Sequence, residues 1–439
     1  MDQLTPEIIH VVCSFLEIKD LRNFRLTCRA YGDIAACHAL REVVFYLHYE
    51  DFKALEAISR HPIVSKNVNS LVYVAHALPT PMLSFDEFVA DYYSEREDHQ
   101  AYMDLHSLLR NRPSPPLKTR QLRASYRKYK ETMEHQIRII ENREDYHCLR
   151  DVISRLPALQ EIMISSDNWE REAATYKTPF DGCMQRPYVE LRPEGCRQLV
   201  TVLEAVASAG TQLRKLAAGS LDWRFFRDEC DLVKRSWASL ANLTVVEFYI
   251  DTAIDDDMET AGVEVPECRD VLRTGVLRKF LTSLKHLKGI YVKFTYHSED
   301  HGYAARVGDI IENGHYWPQL SSIGLGNVEG ERQDLEHIFD LHKPTLKHVC
   351  LEDFCLRNTS WKYLLPNMRQ ILQLETVCIC GAIQGCDEHS DPPVEESWVC
   401  GSSFWGPTEV GVAVNDFLKG EGSEMPLKDK DMEWLGEFE

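Results

Sequence analysis

Residues 4–39, which read LTPEIIHVVCSFLEIKDLRNFRLTCRAYGDIAACHA, carry a dense set of helix signals in this 439-residue chain. Thr5 is a residue type that caps helix N-termini, and Pro6 suits the first helical position because its missing N–H is not needed there. Asp20 and Thr27 are candidate caps for a second and a third helix. The stretch therefore predicts three short helices, which bury little surface unless a partner or an adjoining domain supports them.

The first predicted helix has an apolar surface that is broad for its length. Its apolar residues recur at helical spacing and are Ile8, Ile9, Val12, Phe15 and Leu16. Such a surface is expected to face both an internal core and something else. From the pattern alone, the stretch is either an interaction module or a helical cap on the following domain.

The same stretch resembles the F-box, especially as it is written in proteins of filamentous fungi. The matching positions are Leu4, Pro6, Glu7, Ile8, Leu16, Asp20, Leu21, Phe24 and the run from Arg25 to Arg29. Thr5 interrupts the commoner Leu-Pro-x-Glu opening, although proline stays in the first turn. The resemblance implies a docking site for the Skp-type adaptor of a cullin-RING ubiquitin ligase, formed by Leu4, Pro6, Ile8, Ile9, Leu16, Leu21, Phe24 and Leu26.

A second pattern recurs after residue 39, in which an apolar residue is followed three and five places later by two more. It occurs at Leu40/Val43/Phe45, Val68/Leu71/Tyr73, Leu159/Ile162/Ile164, Leu213/Leu216/Ala218, Leu243/Val246/Phe248, Leu287/Ile290/Val292, Leu320/Ile323/Leu325, Leu346/Val349/Leu351 and Leu374/Val377/Ile379. Several successive copies lie 26 to 30 residues apart, at or near the period of leucine-rich repeats, with helical patterns between them. The pattern resembles a degenerate leucine-rich-repeat protein.

The predicted fold class is therefore α/β. A three-helix F-box over residues 1–39 is followed by an irregular leucine-rich-repeat-like α/β solenoid over residues 40–385. The Asn or Cys that leucine-rich repeats place three residues after the last strand apolar residue is missing, and Thr295, Val328, Phe354 and Ala382 stand in its place. No ladder of such side chains is expected, and a non-solenoid α/β or helical domain is the alternative interpretation.

A helical insertion is expected within the array, over about residues 79–150. A proline-rich linker over residues 112–116 precedes a helical pattern over residues 119–155. The stretch RQLRASYRKYK at residues 120–130 is basic. It is either a docking patch for an acidic partner or a solvated helix face, and the second interpretation is favoured.

The C-terminal segment, residues 386–439, is predicted to be an acidic and partly disordered tail. From residue 421 to residue 439 it has seven acidic and two basic residues. Trp398, Trp405 and Trp434 are unusual in such a segment. They are expected to cap the open end of the repeat array, because an open repeat end exposes apolar surface.

Composition excludes several functional classes. The net charge of −20 argues against nucleic acid as a partner, since binding a phosphate backbone needs clustered Lys and Arg. No run of eighteen apolar residues predicts a membrane span, and the N-terminus does not read as an export signal. The fourteen Cys then fit a reducing cytoplasmic or nuclear setting.

No motif predicts catalysis, a cofactor or a resident metal. Gly324, Gly326 and Gly330 have the wrong spacing for a dinucleotide-binding loop and fall partly inside a predicted strand. The best metal-ligand set is Cys378, Cys380, Cys386, His389 and Cys400. It lacks the paired spacing of zinc sites, so unrelated thiols are the favoured interpretation.

The sequence therefore predicts a non-enzymatic substrate adaptor of a Skp/cullin/F-box ubiquitin ligase, in which the solenoid binds an unknown target protein. The alternative is a scaffold that uses its F-box outside any ligase. Side chains alternate between the two faces of a strand, so residues between the apolar positions of the repeated pattern point away from the core. These residues are the predicted target contacts. The candidates are Glu247, Tyr249, Tyr291, Lys293 and Cys350.

Overall fold

A computed structural model of the protein describes most of the chain as helices and strands. The described residues are 4–78, 81–90, 118–165, 179–180, 183, 194–228, 230–252, 264–295, 302–387, 394–402, 406–422 and 424–428. The chain divides into two units. The first comprises residues 1–159 and 164–209, and the second comprises residues 160–163 and 210–439.

The helices and strands alternate along most of the chain. The helices are α1 (Pro6–Ser14), α2 (Ile18–Phe24), α3 (Arg29–Ala39), α4 (Tyr49–Arg60), α5 (described over residues 85–90), α6 (Thr119–Glu141), α7 (Glu144–Ile153), α8 (Glu194–Ala209), α9 (Phe225–Asp228), α10 (Cys230–Arg235), α11 (Trp237–Leu240), α12 (Glu264–Arg273), α13 (Val276–Ser283), α14 (Val307–Ile310), α15 (Arg332–His342), α16 (Trp361–Ile371) and α17 (Glu409–Lys419). The strands are β1 (Glu42–Tyr46), β2 (Ser70–Val74), β3 (Glu161–Ser165), β4 (Lys215–Asp222), β5 (Val245–Asp251), β6 (Gly289–Phe294), β7 (Ser322–Gly326), β8 (Glu329–Gly330), β9 (His348–Glu352), β10 (Cys355–Leu356), β11 (Thr376–Cys380), β12 (Ala382–Asp387), β13 (Val394–Val399), β14 (Gly401–Ser402) and β15 (Gly406–Pro407).

The first unit begins with three helices, as predicted. The second helix starts at Ile18, which places Asp20 inside its first turn, and the third is capped by Cys28 instead of Thr27. Strands β1 and β2 then pair in parallel. The helical pattern predicted over residues 119–155 forms two helices, α6 and α7, separated by a backbone break at Arg143, where φ is 51°.

The nine strand positions predicted from the repeated apolar pattern are confirmed. Each copy of the pattern coincides with one of the strands β1 to β7, β9 and β11. Every residue of the pattern is buried except Leu40 and Leu374, which belong to the first and last copies and are half-buried. The pattern therefore marks the face of each strand that packs into the core.

The second unit is built on parallel strands that lie side by side in chain order. Strands β4, β5, β6, β7, β9 and β11 form one such series. Strands β8, β10 and β12 follow β7, β9 and β11, and β10 pairs in parallel with both β8 and β12. Strand β13 closes this smaller sheet by pairing antiparallel with β12.

Left-handed backbone occurs in the turn after each of the last three long strands. The residues there are Asn327, Asp353 and Gly381, with φ angles of 52°, 47° and 73°. The Asn327 amide donates to the carbonyl of Phe294 at 2.6 Å, and the Asp353 carboxylate accepts from the N–H of Ala382 at 2.8 Å. Polar side chains thus link neighbouring strand segments two places after the last strand apolar residue, one place earlier than the leucine-rich-repeat pattern predicts.

Within the C-terminal segment predicted to be partly disordered, residues 394–402 and 406–419 form strands and a helix. Trp398 in β13 is fully buried. Asn415 in α17 accepts a hydrogen bond from the N–H of Ile379 at 2.8 Å and donates to its carbonyl at 3.4 Å. This amide covers the backbone edge of β11, as a neighbouring strand would. Trp405 and Trp434, the other expected capping residues, lie outside the described residues.

His342 in α15 is a fully buried titratable group in the second unit. Its Nε2 accepts a hydrogen bond from the N–H of Trp317 at 3.1 Å, and its Nδ1 donates to the carbonyl of Ile338 at 2.9 Å. This pair of bonds requires a neutral imidazole with its proton on Nδ1. Burial lowers the pKa of His342; the bond to Ile338 opposes this shift, and nearby His315 adds to it.

We expect a His342→Gln variant to lose less stability in acid than the wild type. The folded protein binds this proton less readily than the unfolded chain, so stability is full above the unfolded pKa and falls below about pH 6.5. One proton contributes at most about 1.4 kcal/mol per pH unit. Urea unfolding of both proteins at about pH 7 and pH 5.5 measures the difference. An equal loss in the two proteins would show that His342 does not account for the acid sensitivity.

Candidate protein-binding surfaces

The three N-terminal helices enclose a small apolar core. Ile9 and Cys13 of α1, Leu21 of α2 and Ala35 of α3 are its buried members. Phe24 packs at its edge, with its ring 5.3 Å from the Tyr31 ring and nearly parallel to it. The small side chain of Ala35 lets α1 and α2 both approach α3 closely. The core therefore holds one face of α1 and leaves the rest of that helix exposed.

The exposed part of α1 and the loop after α2 present large apolar side chains to solvent. Phe15 is 83% exposed and Leu26 is 85% exposed, which is unusual for such residues. We call this patch the N-terminal apolar surface; its members are Leu4, Ile8, Val11, Val12, Phe15 and Leu26. An exposed apolar patch on one small module is typical of a protein-binding site.

The eight residues predicted to dock an adaptor divide between this surface and the core beneath it. Leu4, Pro6, Ile8 and Leu26 are exposed, as docking requires. Ile9 and Leu21 are buried inside the module, and Leu16 and Phe24 are half-buried against its core.

The four inner residues can support a docking surface, but they do not form its outer layer. The prediction missed Val11, Val12 and Phe15 as outward residues. Val12 and Phe15 had nevertheless been recognised as part of an apolar surface too broad for one core.

A second candidate surface lies on the second unit, on the face of the parallel strands opposite their buried apolar residues. We call it the polar sheet face, and its members are Glu247, Tyr249, Tyr291, Lys293, Cys350, Glu352 and Cys378. In register, Glu247, Tyr291, Gly324, Cys350 and Cys378 form one row across the strands, and Tyr249, Lys293, Gly326, Glu352 and Cys380 form the next. All five predicted target contacts lie on this face and are half-buried.

Two glycines of β7 shape the polar sheet face. A Cβ atom at Gly324 would lie 2.5 Å from Cδ1 of Tyr291, and one at Gly326 would lie 2.7 Å from Cγ of Lys293. Because both positions lack a side chain, Tyr291 and Lys293 of β6 can lie across β7. The Tyr291 hydroxyl reaches the Ser322 hydroxyl in this way. Gly324 and Gly326 therefore make room for neighbouring side chains on this face.

Charge on this face is organised as cross-strand pairs. The Lys293 Nζ lies 2.6 Å from Oε1 of Glu352, across β7, and the Lys215 Nζ lies 2.8 Å from Oε1 of Glu247. Burial acts to lower the pKa of Lys293, but the hydrogen bond and charge of Glu352 outweigh it, so this pKa lies above its ordinary value. Lys293 is therefore a fixed positive charge at neutral pH, held at one place on the face.

The predicted metal-ligand residues do not come together as one site. Cys378 and Cys380 have their Sγ atoms 3.7 Å apart on β11, with Cys350 of β9 interacting with both. Cys386 lies on β12, Cys400 follows β13, and His389 lies outside the described residues. Within the described part of the chain, no group of three or more His, Cys, Asp or Glu is arranged to hold a metal ion.

Among the described helices, none combines the length and the apolar character needed to cross a membrane. No disulfide bond joins any of the described cysteines.

Comparison with known proteins assigns the N-terminal module. Residues 1–36 match the family model of the F-box domain. A search of curated proteins found no match for the chain. F-box domains in general bind Skp-type adaptors, and F-box proteins are in general non-catalytic adaptors of ubiquitin ligases. The helices that carry the N-terminal apolar surface thus form an F-box domain.

Proposed function

We propose that this protein is the substrate-recognition adaptor of a Skp/cullin/F-box ubiquitin ligase. The N-terminal apolar surface docks the Skp-type adaptor and, through it, the cullin. The polar sheet face binds a target protein. The observation that carries the proposal is the F-box match over residues 1–36, in which Phe15, directly after α1, is open to solvent.

The size of the exposed side chains supports docking at the N-terminal apolar surface. Complete burial of one Phe or Leu contributes about 1.5–3 kcal/mol. Phe15 and Leu26 are both more than four-fifths exposed, so almost all of this free energy is still available to a partner. Charged side chains would forfeit it, which makes the surface testable by single substitutions.

The strand series of the second unit supports a leucine-rich-repeat-like solenoid as the target receptor. Strands β4 to β7, β9 and β11 are parallel and adjacent in chain order. Crossovers between parallel strands are right-handed, and when each leads to the next strand in one direction, the connecting segments fall on one face. The opposite face is then free to bind a partner, as in other repeat proteins. Glu247, Tyr249, Tyr291, Lys293 and Cys350 are the proposed target contacts.

In this role the chain performs no chemistry of its own. Ubiquitin transfer belongs to the catalytic subunits of the ligase, and the adaptor raises the effective concentration of target lysines near the transfer site. The absence of disulfides among the described cysteines supports a reducing cytoplasmic or nuclear location. The net charge of −20 supports a protein target over nucleic acid.

Affinity capture of the full-length chain from cells tests the ligase role. Recovery of both a Skp-type subunit and a cullin is the expected result. Recovery of the Skp-type subunit without any cullin would favour the alternative, a scaffold that uses its F-box outside a ligase. Recovery of neither would contradict both roles.

Proteomics can identify the target once the ligase role is established. Cells that express the chain without residues 1–39 are compared with cells that express the full chain. The target should accumulate in the first case, because it is bound but not delivered to the ligase. If no protein both binds the chain and accumulates, the receptor role of the second unit is contradicted.

A further inference from the structure

Three cysteine side chains meet on the polar sheet face. Cys350 of β9 and Cys378 of β11 are direct partners in the parallel register. Cys380 lies two residues beyond Cys378 on the same face of β11, and their Sγ atoms are 3.7 Å apart. Cys350 and Cys378 are half-buried, whereas Cys380 is buried. Three sulfur atoms thus lie together, and the partial exposure of Cys350 and Cys378 allows a small reagent to reach them.

The charges around the cluster favour one thiolate beside two thiols. Hydrogen-bond contacts with the Cys350 and Cys380 side chains, together with the positive charge of Lys293, hold the pKa of Cys378 well below its ordinary value, although burial opposes this. Hydrogen-bond contacts with Cys350 and Cys378, together with burial, raise the pKa of Cys380, and the contact with Cys378 raises the pKa of Cys350 to about 12. Cys378 is therefore the sulfur atom suited to act as a nucleophile.

We propose that Cys350, Cys378 and Cys380 form an oxidant-reactive thiol site, in which Cys378 attacks hydrogen peroxide and Cys350 closes a disulfide with it. The reaction has two balanced steps. The Cys378 thiolate displaces hydroxide from peroxide and becomes a sulfenic acid, so the sulfur is oxidised by two electrons and both peroxide oxygen atoms are reduced. The Cys350 thiol then attacks this sulfur and releases water, and the two cysteines are left joined by a disulfide.

Strand geometry favours Cys350 over Cys380 as the second partner. Disulfides need Cα atoms about 4.4–6.8 Å apart. Neighbouring strands lie about 4.8 Å apart, which is within this range for Cys350 and Cys378. Residues two apart on one strand are separated by about 6.6 Å, which is at the upper limit for Cys378 and Cys380. The product would join β9 covalently to β11 across the polar sheet face.

Peptide mapping after peroxide treatment tests the proposal on the full-length reduced chain. Cys28 is an exposed cysteine of the N-terminal module and serves as an internal reference. Cys378 should be oxidised about tenfold faster than Cys28, and a peptide cross-linked between Cys350 and Cys378 should appear. Alkylation of Cys378 by iodoacetamide should vary little between about pH 6 and pH 8, whereas the rate of an ordinary thiol rises about tenfold per pH unit.

Variants separate the roles of the three groups. Cys350→Ser should halt the reaction at the sulfenic acid, which a 1,3-dione reagent traps on Cys378. Lys293→Met should slow the attack of Cys378 on peroxide, because it removes the neighbouring positive charge. Oxidation of Cys378 no faster than that of Cys28, or no cross-link in the wild type, would overturn the proposal. Both decisive measurements use the unmodified sequence, so they do not depend on the folding of any variant.

Discussion

A Phe15→Asp variant is expected to bind the Skp-type adaptor at least about 100-fold more weakly than the wild type. The contact loses about 1.5–3 kcal/mol of apolar burial. It also places an unpaired carboxylate against an apolar partner, which costs a further amount of about 1–3 kcal/mol. Together these amount to about 2.5–6 kcal/mol, and about 2.7 kcal/mol already corresponds to 100-fold. Calorimetric titration with the purified adaptor measures the change.

The interpretation depends on the folded state of the variant. Phe15 is 83% exposed, so its replacement should leave the helix content and thermal unfolding of the chain unchanged. Leu21→Asp is the informative contrast, because Leu21 is 2% exposed and its replacement should unfold the module. Both variants would lose binding, but only the second would lose structure.

A matched control comes from the second unit. Val412 is a large apolar residue, 45% exposed on α17, and Val412→Asp adds the same charge at a site outside the F-box. Its adaptor binding should equal that of the wild type. Wild-type affinity in a folded Phe15→Asp variant would contradict docking through the N-terminal apolar surface.

The strands of the fold were predictable because the apolar pattern reports burial directly. Each apolar residue of the repeated pattern lies on the buried face of its strand. This holds whichever strands pair with it. The orientation of α1 was not predictable to the same degree. Ile8 and Ile9 are adjacent and chemically identical, yet Ile9 is buried and Ile8 is exposed. In a helix that is apolar on most sides, the packing partners determine which residues are buried.

The thiol cluster was missed for a related reason. Cys378 and Cys380 were grouped with cysteines that follow them in the chain, whereas their neighbour in space is Cys350, on the preceding long strand. The sequence did contain a signal for this cluster. Cys350 and Cys378 each directly follow the second apolar residue of a copy of the repeated pattern, Val349 and Val377 respectively. If these two copies of the pattern are aligned as paired parallel strands, the two cysteines lie side by side.

Composition alone does not identify which part of the C-terminal segment is folded. Its acidic and small residues resemble those of disordered chains, but a few particular side chains determine its fold. Trp398 fills a space within the second unit, and Asn415 satisfies both backbone groups of Ile379. Such contacts depend on shape at single positions, which average composition does not record.

A chain that ends at Asp387 is expected to be severely destabilised relative to the full-length protein. The truncation removes β13, which pairs with β12 through six residue pairs, and it removes the buried indole of Trp398. Deleting a buried Trp side chain alone costs about 3–5 kcal/mol. Losing the Asn415 amide leaves the backbone groups of Ile379 without a partner, at about 1–3 kcal/mol.

The summed loss is comparable with the whole stability of many proteins, which is about 5–15 kcal/mol. Exposing the edges of β11 and β12 also offers unpaired strands to other chains. The truncated protein should therefore unfold at a much lower urea concentration and elute as aggregates in size-exclusion chromatography. Trp398→Ala in the full chain should show the stability loss without the exposed edge, and hence little aggregation.

The length control is a chain that ends at Lys428. It keeps β13 and α17 with every contact described for them, so it should unfold at nearly the same urea concentration as the full-length protein. A large difference between the two truncations would show that residues 388–428 close the end of the second unit. An equal urea midpoint for the chain ending at Asp387 would mean that β11 and β12 are stable as exposed edges. In that case, Trp398 and Asn415 would contribute nothing that the rest of the second unit requires.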